Sequence, residues 1–510
     1  MTSSFLATGV ACCLVAVPAA VRAQQTADPL PVAPSSVLKE QVQKETELSK
    51  TAGSGATFLA ASTTAGPHDT QVELGSGEKR PLSLDDAIAF GLERNHRLKY
   101  DAANKREVQG LQSTVLSAII PNLTLQASSS AQQINLAAMG FSNSLLGDFS
   151  STLGLDLTGF STIVRVNVTQ AQIGASQQLF NLPDLELYKA AKSEFQVVDL
   201  NYLNSRGELV TAVGTAYLEA IADGANLKNA QAQEVSAKRT FDDASARRQA
   251  GVGTNLDALR AQVTYQQHQQ QTVAAATQVS KDIIQLNRIM GVPAEQTWEL
   301  TDNAPFAEFV DMDMNLAMAT AMAHRKDFLS LEAQVDVMTR EYRAVKYQRL
   351  PTLAFTGFYG VIGETTGMYH GVFNAQASVR VPVFREAAQR GEQQQIQGQL
   401  MALKQREASL RTDMESQIRS AMLDEQAAHE LVKVAQDKVE LAQQELSDER
   451  DRFKAGVDDN LPVIDAEASV TQAQAEMVQA LYKYNVAKLQ LARSTGVVET
   501  RYRTYLGTGH

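Results

Sequence analysis

The sequence predicts a mainly α-helical chain built twice from one plan, each half reading helix, strand, strand, long helix, helix. Three observations carry this. First, RRQAGVGTNLDALRAQ (247–262) recurs as RFKAGVDDNLPVIDAE (452–467), and one offset of 205 positions relates Arg247 to Arg452, Gly251 to Gly456 and Asn255 to Asn460. Second, four short runs alternate apolar with polar residues, the period of a strand with two unlike faces. Third, the intervening tracts are Ala/Gln-rich and free of strong breakers over tens of residues, as long helices require.

Residues 1–23 have the pattern of a secretory signal peptide, with an apolar run from Ala7 to Val17 and a cleavage signal at Val21-Arg22-Ala23. Both cysteines, Cys12 and Cys13, fall inside it, so the exported chain is expected to contain neither a disulfide nor a thiolate metal site. Gly9 stands where a lipidation signal at Cys12 would need an aliphatic residue. The net charge of −11 and pI near 5.3 provide no footprint for nucleic acid and disfavour adhesion to an anionic membrane surface. No stretch approaches 18 consecutive apolar residues, which leaves a soluble chain or one that crosses a membrane as a closed β-barrel.

Residues 24–80 read as a flexible leader rich in Ala, Ser, Thr, Gly and Pro. Repeat 1 covers 81–291. Ser83 can cap a helix over 84–120, with apolar residues at Leu84, Ala87, Ile88, Leu92 and Leu98, a break near Asn95, and Pro121 as its end. Strands are expected at about 122–133 and 163–180, from Leu123-Thr-Leu125-Gln-Ala127 and Val164-Arg-Val166-Asn-Val168. A long helix over 184–250 carries Leu203, Val210, Val213, Tyr217 and Ile221 as a coiled-coil-like stripe. Gly251 ends it, and a helix over 255–290 follows, closed by Gly291 and Pro293. A connector spans 292–313.

Repeat 2 covers 314–496: helix 314–350 ended by Pro351, strands at about 352–362 and 374–384, long helix 386–455, tip at Gly456, and helix 461–495. A tail spans 497–510. Pro121 and Pro351 lie 230 apart rather than 205, so repeat 1 carries about 25 extra residues, around Asn135–Phe160. The long helix of repeat 1 would extend roughly 100 Å at 1.5 Å per residue, and the two shorter helices of each half match one long helix when laid end to end. The result is a rod with strands at one end and tips at the other.

LSLDDAIAFGLERNHRL near 82–98, the IP and LP breaks at 120–121 and 350–351, QLFN (178–181), PVFR (382–385) and the two R-x-x-x-G tips make the chain similar to the TolC family of outer-membrane efflux ducts, over about residues 81–500. The resemblance implies a homotrimer whose four strands per chain close a 12-stranded membrane β-barrel. It also implies a long α-helical coiled-coil tube in the periplasm, with tips that meet a periplasmic adaptor (a membrane fusion protein) and an inner-membrane pump. Independently, four strands are too few to close a barrel around a channel, so several chains must contribute. Outward apolar residues would then face outer-membrane lipid, while Arg165, Asn167, Thr169, Gln376, Ser378 and Arg380 would line the lumen.

The resemblance further implies an entrance narrowed by acidic rings. Asp465 matches one such position and Pro462 occupies the other, with Asp458 and Asp459 able to supply the missing charge. Adaptor docking is expected at the tips, through Arg247, Gly251, Asn255, Asp257, Arg452, Gly456 and Asn460. The family's latch pairs an acid on the first tip with an Arg and an aromatic hydroxyl on the second. Asp257 matches the acid, but Asp458 replaces the Arg and Phe453 lacks the hydroxyl, so either a different contact holds the entrance closed or it is held less tightly. Met314, Met318 and Met322 repeat every fourth residue as a buried stripe would. No histidine ligand spacing, P-loop, dinucleotide fingerprint or nucleophile motif is present, so no cofactor, metal or enzymatic activity is expected. The competing reading is a periplasmic coiled-coil structural or adaptor protein that never enters a membrane.

Overall fold

The computed structural model describes residues 80–139, 161, 163–302, 307, 312–455 and 461–507. Repeat 1 comprises β1 (Arg80–Leu82), α1 (Leu84–Arg94), α2 (His96–Ser117), β2 (Asn122–Asn135), β3 (Ile163–Phe180), α3 (Leu182–Gln249) and α4 (Asn255–Met290). Then come β4 (Trp298–Leu300), α5 (Met314–His324), α6 (Lys326–Tyr347), β5 (Thr352–Glu364), β6 (Tyr369–Arg380), α7 (Glu386–Lys454), α8 (Leu461–Ser494) and α9 (Val498–Leu506). Each long helix is flanked by two short ones, α3 by α2 and α4, and α7 by α6 and α8; α3 also packs along α6 and α8, which ties the repeats together.

The first helical tract is divided at Asn95, whose side chain accepts from the N–H groups of Arg97 (2.9 Å) and Leu98 (3.2 Å) and so caps α2. The tract expected over 314–350 is likewise divided, at Arg325, although no Gly or Pro marks the place. Both breaks receive the end of a later helix. Gly291, which ends α4 at φ 74°, packs against Arg94 and Asn95; Gly496, after α8 at φ 76°, packs against His324 and Arg325. Asn95 Nδ2 donates to the Ile289 carbonyl at 2.8 Å, and Arg325 Nη1 donates to the equivalent Ser494 carbonyl at 3.4 Å. Arg325 also makes a two-pronged contact with Asp327.

The main core gathers around Tyr217, Leu286, Met290, Leu489 and Leu491, where α1, α3, α4 and α8 meet the β1–β4 pair. β1 and β4 run parallel, Arg80 opposite Trp298. The Tyr217 hydroxyl donates to the Leu82 carbonyl (2.8 Å) and the Asp302 carboxylate (2.9 Å), fixing the chain entry to the long helix. The connector is anchored in turn. Trp298 Nε1 donates to buried Asn287 at 2.6 Å, while Tyr484 Oη and Lys488 Nζ both donate to the Ala307 carbonyl. Lys488 is fully buried, with its ammonium 4.4 Å from the Tyr484 ring centre, and burial lowers its pKa to about 8 against an opposing pull from Glu425. The methionine stripe packs with Ala317, Ala321, Phe328 and Ile418 in a separate cluster.

Where α3 runs beside α6, Glu341 is only 4 % exposed. Burial, and secondarily the charge of Glu194, raise its pKa from 4.5 to about 7. Because the folded value lies above the ordinary one, its contribution to stability is fully present below pH 4.5 and is lost as pH rises through 7. Glu341→Gln is therefore expected to stabilise the protein by about 3 kcal/mol at pH 8 and to change little at pH 4. Thermal melts at the two pH values check this; an equal effect at both would refute the assignment.

Strands β2, β3, β5 and β6 form one antiparallel sheet in the order β2-β3-β5-β6, so the two repeats join through β3 and β5. β6 begins at Tyr369 and ends at Arg380, rather than spanning 374–384. Pro382 has no N–H to give to a ladder, and Val381 to Phe384 lie beyond the pairing. The connector contains β4 and the tail contains α9, elements of three and nine residues.

Candidate channel surfaces and entrance

Sheet register assigns every strand residue to a face. Leu123 and Leu125 of β2 share a face with Ile173 of β3, Phe355 and Tyr359 of β5, and Phe373 and Val379 of β6. Of these, Leu123, Leu125, Ile173, Tyr359, Phe373 and Val379 are between 55 and 80 % exposed. A surface of this size left bare in one chain needs an apolar solvent or a partner. The opposite face carries Thr124, Gln126, Ser128, Gln170, Gln172, Thr356, Asn374, Gln376, Ser378 and Arg380. Phe358, Ile362 and Val372 also lie on it, but polar side chains predominate, which suits contact with water.

Gln376, Ser378 and Arg380 thus lie on the polar face, as their alternation suggests. Arg165 and Asn167 do not join them. They pair with Gln133 and Ala131, on the face of Leu123 and Leu125. With Thr169, which pairs with Ser129 on that same face, the six residues cannot line one surface. The apolar positions of β3 change phase near Gln170: Val164, Val166 and Val168 occupy one face, and Ala171, Ile173 and Ala175 the other. Arg165 and Asn167 belong to the part of the β2–β3 hairpin that extends past the end of β5, which pairs no further than Val168.

The first tip is built from its own backbone. Gly251 adopts φ 76°, and Val252 N–H and Gly251 N–H return to the carbonyls of Arg247 and Arg248, each at 3.0 Å. Thr254 then caps α4, accepting from the Asp257 N–H at 3.1 Å and donating to its carboxylate at 2.6 Å. Asp257 is therefore engaged in its own helix start. Asn255 accepts from Arg248 at 3.0 Å. Of the second tip, Gly456, Asp458, Asp459 and Asn460 lie outside the described residues. Arg452 donates to Glu449 at 2.9 Å. Asp465 is exposed on α8, on a polar face shared with Gln472, Gln479 and Lys483.

Contacts between described residues join the hairpins near their tips. Arg247 lies over the Phe453 ring, 4.6 Å from its centre, a cation–π geometry. Arg450 donates to Glu467 (2.8 Å) and to Ser236 (2.9 Å), and Ser236 Oγ donates to Glu467 at 3.1 Å. The Glu467 side chain is 3 % exposed, so this carboxylate depends on those two partners. Sequence reasoning passed over the trio. The available signal was an acid at 467 inside the apolar stripe Val463, Ala466, Val470, Ala473, where repeat 1 has Gln262.

Residues 91–292 and 317–497 match the family model described as outer membrane efflux protein. The chain is 24 % identical over 349 residues to the alkaline protease secretion protein AprF of Pseudomonas aeruginosa, covering 64 % of this chain and 69 % of that one. Among solved structures it is similar to the CmeC outer membrane channel of Campylobacter jejuni, with TM-score 0.68, 14 % identity, and 81 and 86 % of the two chains covered. It is also similar to the open-state MtrE outer membrane channel of Neisseria gonorrhoeae, with TM-score 0.65, 17 % identity, and 82 and 90 % covered.

Proposed function

The chain belongs to the outer membrane efflux protein family, and from that premise we propose that it is the passive exit duct of a tripartite efflux or type I secretion machine. Its place is the bacterial outer membrane, with the helical part in the periplasm. One observation carries the reading: an antiparallel sheet of four strands with one exposed apolar face, one mainly polar face, and edge strands β2 and β6 that have no partner among the described residues. Three copies joined edge to edge give a 12-stranded barrel with lipid outside and water within. In such a barrel Gln376, Ser378 and Arg380 line the lumen. A purely periplasmic coiled coil has no use for that sheet.

The tips then form the periplasmic entrance and the surface met by an adaptor, through Arg247, Arg248 and Asn255 on the first hairpin and Arg452 on the second. An inner-membrane pump supplies the energy. The likeness to AprF, an alkaline protease secretion protein, makes secreted protein the first cargo class to test, with small molecules as the other. Three copies of Asp465 around the threefold axis form a cation-attracting constriction. The Arg450–Glu467–Ser236 trio and the Arg247–Phe453 stack take the part of the latch, holding the hairpins together.

Conductance in planar bilayers tests the entrance. Asp465→Ala is expected to widen the channel and weaken its cation preference, whereas an unchanged conductance and selectivity would remove Asp465 from the constriction.

A further inference from the structure

Asp282 of α4 is 7 % exposed, and its Oδ2 atom is buried without a hydrogen-bond partner. Its other oxygen accepts from Gln278 at 2.8 Å. The titratable groups that face it are Asp223, within hydrogen-bonding reach, and Glu219, both from α3, together with Tyr482 from α8. Asp223 in turn accepts from Asn226 at 3.2 Å. Among the described residues, no Lys or Arg forms an ion pair with any of the three acids. A buried acceptor surrounded by acceptors is costly, and two carboxylates in contact cannot both stay ionised at ordinary expense.

We propose that Asp223 and Asp282 share one proton, and that this proton fastens α3 to α4 at the base of the first hairpin. The O–H of one carboxyl then donates to the other and satisfies Oδ2. The site lies where the broad core around Leu286 and Tyr217 gives way to the two-helix arm, 27 residues or roughly 40 Å along α4 from its start at the tip. Losing the proton sets like charges facing each other across the helix pair, so the arm's base loosens as its surroundings become more alkaline. Burial first, then Asp223 and Glu219, raise the Asp282 pKa from 3.8 to about 6, while Gln278 opposes them. The fastening is therefore complete below pH 3.8 and fades as pH rises through 6.

Hydrogen exchange on the full-length protein in detergent, corrected for intrinsic rates, reads this locally and independently of Glu341. Segments 219–226 and 278–286 are expected to exchange at least about tenfold faster at pH 7.5 than at pH 5. Asp282→Asn and Asp223→Asn each replace one acid with a neutral hydrogen-bonding group, and either is expected to abolish that difference. Infrared spectra at pH 5, recorded in the Glu341→Gln background because Glu341 is itself protonated there, provide a second reading, a protonated-carboxyl band that Asp282→Asn diminishes; should that variant fail to fold, Asp223→Asn diminishes it as well. Equal protection of the wild type at both pH values, a pH dependence kept by both variants, or an unaltered carboxyl band would each overturn the proposal.

Discussion

Phe373→Arg is expected to deplete the protein from the outer membrane and abolish its heat-modifiable oligomer, whereas Gln376→Arg in the same strand leaves both intact. Phe373 is 76 % exposed on the apolar face of β6, and three positions on, Gln376 lies on the polar face. An Arg facing lipid near mid-bilayer costs about 2–4 kcal/mol per copy, and the proposed trimer would carry three. An Arg in the lumen keeps its water and alters only ion selectivity. Membrane fractionation with unheated gel electrophoresis separates the two outcomes. Equal behaviour of the two variants would mean that the sheet does not divide lipid from water.

Gly496→Val is expected to destabilise the helical part severely. A β-carbon there would sit 2.7 Å from the Arg325 nitrogen and 2.8 Å from its α-carbon, both backbone atoms that cannot swing aside. The left-handed φ of 76° adds a conformational penalty for any branched residue. Together the two effects amount to about 3–5 kcal/mol. Gly251→Ala provides the comparison, since its φ is the same but none of the described residues crowds it. It is expected to cost only about 1 kcal/mol, the conformational part alone. Melting temperatures of the two variants measure the difference.

The long helices and the first tip were legible because helical periodicity and a terminal Gly are local properties of the chain. The joint at Asn95 was legible for the same reason, since a short polar side chain can cap a helix. Its counterpart at Arg325 was not. An Arg favours helix, and only the arrival of Gly496 from 171 residues further on holds that break open. The strand faces were half legible. Alternation reveals that two faces exist, but Val164–Val168 and Ala171–Ala175 are both apolar triplets on opposite sides, and only cross-strand partners decide which belongs with Leu123 and Phe373. Glu467 was hidden because a buried acid is intelligible only beside Arg450 and Ser236, one on its own hairpin and one on the other.

The seam between β3 and β5 sets an order of events in biogenesis. Thr169 and Thr365 touch across it, 196 residues apart in the chain. Closing so large a loop is slow, and no sheet of more than two strands exists until most of α3, α4 and α6 has been made. The β2–β3 hairpin must therefore wait in water with Leu123, Leu125 and Ile173 uncovered. Until β5 arrives this pair has no third strand, and its uncovered apolar side chains are where self-association is expected.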